Sequence, residues 1–435
     1  MAMRSIRAAT GGPAALVAVG LLALPFSLLG QAALTLEDAL REARAANARL
    51  PLPELDLLIA RSRLSEAVAA QWFRVALEGE FVYAPHDGSG YDPALSNFGD
   101  ARLQAVAHQP IYAGGALKAG AERAGAAVAA AGARYRIAEK DLDLEVRSRY
   151  AEVQTARAER DVRRDGLARL DSYRTLLKSR RASGQGVAAD LRKAEVRSAL
   201  EEVAAADAEQ RAEQARIELN LLMGRDPDVP LALSPLTPPA APPEGDGDAW
   251  ERAPEIAAAE AESRSAKASV AIARAEKLPN LSFRADLGFW ASDTRHLNAD
   301  FWDRTWRDRG LSLSLVLSWP LWDRGALQAR MAAAQLSLQQ AQRRLEAERR
   351  DTRSKWAQAR SAIRHLYEQI AILGRAVPDA RDSYLETESR YRGGTATALE
   401  VLDAYAAATE SAVKLNELTA RYWIAEAVAA RWGEP

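Results

Sequence analysis

The chain has 435 residues, 48% of them hydrophobic and 27% charged, with a formal net charge of -1. That balance leaves no basic footprint for nucleic acid. Cysteine is absent, which excludes thiolate metal sites, disulfides, a cysteine nucleophile and a lipid anchor on an N-terminal cysteine.

Residues 1–32 read as a signal peptide. Arg4 and Arg7 form a positive start, Ala14 to Leu29 an apolar run broken by Pro25, and Gly30-Gln31-Ala32 a small-residue cleavage site after Ala32. The run is short for a membrane span of ~20 residues, and no basic stop-transfer cluster follows, so a removed leader is expected rather than an anchor. Thr35 and Asp38 then form an approximate capping box. They predict a helix from Leu36 to Ala48, stopped by Pro51 and Pro53, and a second helix from Glu54 to Val75.

Here the period changes to two. Leu77, Gly79, Phe81 and Tyr83 alternate with Glu78, Glu80 and Val82, and after a turn-rich loop Leu103, Ala105 and Ala107 alternate with Arg102, Gln104, Val106 and His108. These are strands with one apolar and one polar face. From Ala116 to Ala182 no proline occurs, which predicts a helical rod of roughly 100 Å. Gly184 and Gly186 turn the chain into a returning helix, Val187 to Leu222. Asp226 to Asp248 is rich in proline and glycine and reads as a linker.

The same programme then repeats. Leu281 to Phe289 and Leu311 to Ser318 alternate as strands. Ala326 to Arg392 is a second rod, in which Pro378 is expected to kink or locally break the helix. Gly393, Gly394 and Thr395 turn into a last helix from Thr397 to Trp432. In that helix Val401, Ala408, Leu415 and Tyr422 recur every seventh residue, with Tyr405, Ala412 and Thr419 between them, a heptad seam. Pro110 and Pro320, Gly115 and Gly325, and Gly184 and Gly394 all lie 210 positions apart. One unit was therefore duplicated. The divisions expected are a signal peptide (1–32), a first repeat (33–224), a linker (225–250) and a second repeat (251–435).

Two environments suit the strands. Their apolar faces could pack on helices, as in a soluble β domain of a periplasmic coiled-coil structural or adaptor protein. Otherwise they face lipid. Arg, Asp, Glu and Ser on the other face suit a water-filled lumen, and Phe81, Tyr83, Tyr112, Phe289, Trp290, Trp319 and Trp322 near strand ends suit an interfacial girdle. Four strands are too few to close, and lipid tolerates only closed barrels. The lipid reading therefore requires several chains to pool their strands.

The chain resembles the TolC-like outer-membrane efflux proteins of Gram-negative bacteria (outer membrane factors). The resemblance rests on Leu34-Thr35-Leu36-Glu37-Asp38-Ala39-Leu40, Ala253-Pro254-Glu255-Ile256, Leu278-Pro279-Asn280-Leu281, Pro-x4-Gly-Ala-Leu in both halves, and Tyr391-x2-Gly394-x5-Glu400-Val401-Leu402-Asp403-Ala404. It implies a mainly α fold with a membrane β part: a homotrimer pooling four strands per chain into a twelve-stranded β-barrel above a coiled-coil α-barrel in the periplasm. It further implies a passive exit duct of a tripartite efflux or type I secretion system, with a periplasmic adaptor and an inner-membrane pump as partners. Arg74 stands where a pre-strand proline is expected.

By the same resemblance, Glu400 and Asp403 line a constricted periplasmic mouth, one turn apart. Asp190 and Lys193 take the matching places in the first copy. Tyr391 matches a tyrosine near the closing contacts, and Ala396 stands where a relative can use arginine. The turns containing Gly184, Gly186, Gly393, Gly394 and Thr395 are expected to form the adaptor-docking tips. The loops His86–Gly99 and Asp293–Arg309 are expected outside the cell.

No catalytic constellation accompanies these features. His86, His108, His296 and His365 have no neighbour at metal-ligand spacing, and Gly114-Gly115-Ala116-Leu117-Lys118 lacks Walker spacing. No enzyme, cofactor or metal site is expected.

Overall fold

The computed structural model describes residues 33–47, 50–82, 100–184, 186–236, 248–292 and 308–433. The expected signal peptide and the loop His86–Gly99 lie outside them, as does the expected extracellular loop Asp293–Arg309 apart from its last two residues.

Thr35 caps the first helix, α1 (Leu36–Ala46), with its Oγ1 3.2 Å from the Asp38 amide. The prolines expected to stop it instead open the next helix, α2 (Pro51–Ala69). In a first turn the missing proline N–H would have had no helical partner, so nothing is lost. Helix α2 ends well before Val75, because the chain turns and enters β1 (Arg74–Val82). Strand β2 (Asp100–Tyr112) pairs antiparallel with it.

The first rod, α3 (Ala116–Ala182), has the expected bounds. Gly115 enters it at φ 87°, a left-handed conformation that glycine adopts without a Cβ clash. Helix α4 (Ala188–Leu222) returns. In the second copy come a 3-10 turn (Ala249–Arg252), α5 (Pro254–Ala275), β3 (Asn280–Ser292), β4 (Asp308–Ser318), the rod α6 (Ala326–Arg392) and α7 (Ala398–Gly433). Asp323 caps α6 through the amides of Gly325 and Leu327 at 3.0 and 2.5 Å. The matching residue of the first copy is Ala113, which offers no such acceptor. Helix α6 runs unbroken through Pro378, so the local break does not occur. An interior proline costs about 3 kcal/mol through its missing N–H and its clash with the preceding turn; downstream of it Tyr384 and Tyr391 are both buried and anchor the helix in the core.

The four strands form one antiparallel sheet in the order β1-β2-β3-β4. Below it the helices stand side by side. Near the sheet α2 contacts α3, α3 contacts α5 and α5 contacts α6; further away α4 contacts α3, α3 contacts α7 and α7 contacts α6. The molecule is thus a curtain with two long edges, one formed by β1, α2 and α4, the other by β4 and α6.

Two cores hold the curtain together. The first joins α1, α3 and α4 through Leu40, Leu142, Val146, Val153 and Leu219. The tract expected to be a plain linker contributes to it. Leu231 is buried, Leu233 bridges Leu34, the Tyr150 hydroxyl lies 2.7 Å from the Ser234 carbonyl, and Arg157 donates to the Leu231 carbonyl at 2.6 Å. This strap satisfies its backbone on α3, which composition alone does not reveal. The second core lies at the far end of the rods.

Candidate functional site

At that far end the two helical hairpins turn. Thr395 donates its amide to the Arg390 carbonyl at 2.9 Å and Gly394 donates to Tyr391 at 3.0 Å. With Gly394 at φ 79°, this is a Schellman closure. Thr397 and Glu400 then form a full capping box: the Glu400 amide meets Thr397 Oγ1 at 3.3 Å, and Glu400 Oε2 accepts the Thr397 amide at 2.7 Å. The Glu400 carboxylate therefore has a local structural task, while Asp403 is exposed. The first copy is built differently. Val187 and Asp190 stand in the box positions, and no side chain caps α4. A Cβ on Gly186 would lie 2.8 Å from the Arg181 amide nitrogen, so only glycine fits there. Gly184, Gly393, Gly394 and Thr395 are all exposed.

Tyr391 lies inside. Its ring meets that of Tyr173 edge-on at 5.5 Å, and the Arg180 guanidinium sits 4.7 Å above it. Arg180 also donates to the Arg392 carbonyl at 2.6 Å, and the Tyr173 hydroxyl donates to Ala398 at 3.4 Å. Tyr384 and Tyr405 form a second edge-on pair at 6.0 Å. The predicted residues thus divide. Tyr391 joins the core between the hairpins, Asp190 is half-buried in the first turn of α4, and Glu400 and Asp403 remain on the surface.

One turn deeper, Glu201 is only 2% exposed and pairs with Arg163 at 2.9 Å. Arg163 also lies 3.6 Å from Glu159, which Arg211 holds at 2.7 Å. Gly166 makes room for Tyr405, since a Cβ there would meet its hydroxyl at 2.5 Å. Tyr173, Tyr384, Arg163 and Glu201 were not singled out from the sequence. Tyr384 and Tyr391 are seven apart, a spacing that places them on one helix face. Nothing local marks Tyr173.

Burial pushes the Tyr384 and Tyr405 hydroxyls up to about 12 from an ordinary 10.0, and raises Tyr173 as well. These phenols ionise more easily in the unfolded chain. Their contribution is therefore full below pH 10 and is lost as pH rises through 12. The thermal midpoint is expected to fall across that window, and to fall less in a Tyr384→Phe/Tyr405→Phe variant. Equal slopes would mean that these phenols do not couple to folding.

Among the described residues no group of histidines and carboxylates could hold a metal ion, and no helix is long and apolar enough to cross a membrane. The sheet has a different character. Leu311, Leu313, Leu315 and Leu317 project from one face of β4, each about two-thirds exposed. Val75 and Leu77 of β1 are exposed on the same face, as the pairing register requires. Trp72, Phe73, Tyr112, Trp319, Leu321 and Trp322 are exposed where the strands meet the helices. Tyr112, Trp319 and Trp322 belong to the girdle expected from the sequence; Tyr83 and the side chains of Phe81, Phe289 and Trp290 lie outside what the structure describes.

A sheet with a bare apolar face, carried on helical rods with two open edges, defines a segment of a channel wall. The chain belongs to the outer membrane efflux protein family, whose model matches residues 27–225 and 247–430. It is similar to the pyoverdine export outer membrane protein OpmQ of Pseudomonas putida, 32% identical over 42% of this chain and 38% of that one. The chain therefore matches well under half the length of that relative. Solved structures share the fold. The outer-membrane channel OprN has a TM-score of 0.80 at 22% identity, over 92% of this chain and 89% of that one. The outer membrane protein VceC of Vibrio cholerae has a TM-score of 0.81 at 20% identity, over 92% and 97%.

Proposed function

We propose that this chain is the exit duct of a tripartite efflux or type I secretion system, a passive conduit from periplasm to outside with no catalysis of its own. The observation that carries this reading is the pair of open edges. Along the first, Leu52 and Leu55 of α2 and Val196, Leu200 and Val203 of α4 are exposed; along the second, Leu336, Ile372 and Leu385 of α6. Helix α2 buries no residue at all within the chain. Unlike edges that both need cover call for head-to-tail association, which gives a ring when the rotation between copies closes. Closure would also pair β1 with a neighbour's β4, satisfying the strand edges that lipid does not tolerate. Three copies, as the family resemblance implies, would give the twelve-stranded barrel and the helical barrel beneath it.

In that ring the leader is removed at Ala32, the barrel sits in the outer membrane, and the exposed turns around Gly184, Gly394 and Thr395 meet a periplasmic adaptor that couples the duct to an inner-membrane pump. The relative's name makes pyoverdine one candidate cargo. Glu400 and Asp403 of three copies would crowd six carboxylates near the axis, where divalent cations would relieve their repulsion.

The test is electrical. The protein, extracted from outer membranes with detergent, is expected to form channels in a planar bilayer. An Asp403→Ala variant should reduce block by divalent cations, whereas Glu400→Gln, which keeps a capping oxygen, separates charge from helix capping. Release of the protein by salt alone, or a bilayer that stays silent, would overturn the duct. Unchanged block in both variants would leave these carboxylates with structural tasks only.

A further inference from the structure

The sheet's polar face contains a grouping that the duct reading does not use. Register places Arg74 opposite His108, His108 opposite Arg284, and Arg284 opposite Ser314. These side chains share one face, because residues directly opposite in a sheet project to the same side. The rows on either side of them in sequence, such as Val75, Ala107, Ala285 and Leu313, form the apolar face. Neighbouring strands lie ~4.8 Å apart, so Arg74, His108 and Arg284 span only about 10 Å. All three lie near the ends where the strands join the helices.

We propose that this cluster is a binding site for polyanionic groups, repeated in each protomer around the inner wall of the barrel just above the helical conduit. The site rests on the duct reading, since it needs the polar face to be lumenal. Its charge is only partly offset. The Arg284 Nε–H donates to Asp286 at 2.7 Å, and Asp286 also lies 3.4 Å from Ser312. Glu78 is the nearest carboxylate along β1, four residues from Arg74 and thus about 13 Å further along the strand. Arg74 is exposed at the open edge. The strand that would close on it, a neighbour's β4, has its one carboxylate, Asp308, at the end away from the helices, and Asp323 just past the other end is taken up in capping α6. Ring closure therefore brings Arg74 hydroxyls and apolar groups but no counter-charge. An arginine whose fork lacks a carboxylate is suited to take phosphate or carboxylate groups in two-point contact. The site favours cargo bearing several such groups and delays them at the entrance to the barrel.

Single-channel recording at about 0.1 M salt, where the Debye length is ~10 Å, tests this with inorganic tripolyphosphate added to the helical side. Tripolyphosphate is expected to interrupt the wild-type current. Arg74→Gln/Arg284→Gln should lose the interruption and shift the reversal potential in a salt gradient toward cation preference. Because Arg284→Gln leaves Asp286 without its ion pair, Arg74→Gln alone is the second variant. It is expected to weaken the block in trimers that still run intact on a gel. Glu78→Gln should leave the block in place. Channels that conduct normally but show the same tripolyphosphate block and reversal potential in all variants would overturn the site alone. A wild-type protein that forms no channel would overturn the duct and the site together.

Discussion

Replacing Leu313 with arginine is expected to remove the assembled protein from the outer membrane, whereas arginine at the adjacent Ser312 is expected to be tolerated. Leu313 lies at the middle of β4 on the apolar face and is 64% exposed. If that face meets lipid, a charge near the midplane costs ~2–4 kcal/mol per copy, and a ring includes every copy. Ser312 lies on the opposite face, opposite Asp286, where a new guanidinium finds water and a carboxylate. The readout is the amount of heat-resistant oligomer in purified outer membranes. Had the strands formed a soluble sheet, both faces would take arginine with similar ease, or helices would cover Leu313. Equal levels of oligomer in the two variants would therefore reject the lipid assignment.

A second large effect is expected at the ion pair between α3 and α4, inside the first hairpin. Glu201→Leu leaves Arg163 with only the more distant Glu159, inside a contact from which water is largely excluded. Loss of one partner of a buried pair costs about 3–5 kcal/mol, because the surviving charge remains desolvated. The double replacement Glu201→Leu/Arg163→Met removes both charges and is expected to restore most of the loss. Thermal unfolding in detergent reads both. A single variant as stable as the wild type would mean that Arg163 reaches water or another acid when Glu201 is gone. A double variant as unstable as the single would point to packing, not charge, as the source of the loss.

Much of the architecture was legible because it is local and periodic. Alternation at every second residue marks a strand wherever it lies, which is why Leu311 to Ser318 could be assigned with its apolar face. A long stretch free of proline and ended by glycine marks a rod, and the bounds of α3 and α6 agree with that reading to the residue. The markers 210 positions apart disclosed the duplication without any knowledge of contacts. Local rules failed where two physical meanings share one signal. Pro51 and Pro53 suit the end of one helix or the start of the next, and only the chain's path showed that they start α2. Pro378 breaks an isolated helix, yet buried tyrosines downstream hold α6 together across it.

The sequence by itself determined the repeat, the strand faces, the rods and the glycine turns, since each depends on residues within a few positions of one another. Tertiary structure alone decided which distant faces meet. Tyr173 contacts Tyr391, and Arg163 reaches Glu201, because α3 packs on α4 and α7, which in turn packs on α6. The strap from Leu231 to Leu236 finds its backbone partners on α3 and beside Leu34. Arg74, His108 and Arg284 become neighbours only through the register of three strands, and a slip of one residue in any of them would send its side chains to the other face. Periodicity says which side of an element is apolar, but the partner of that side is chosen by burial summed over the whole curtain.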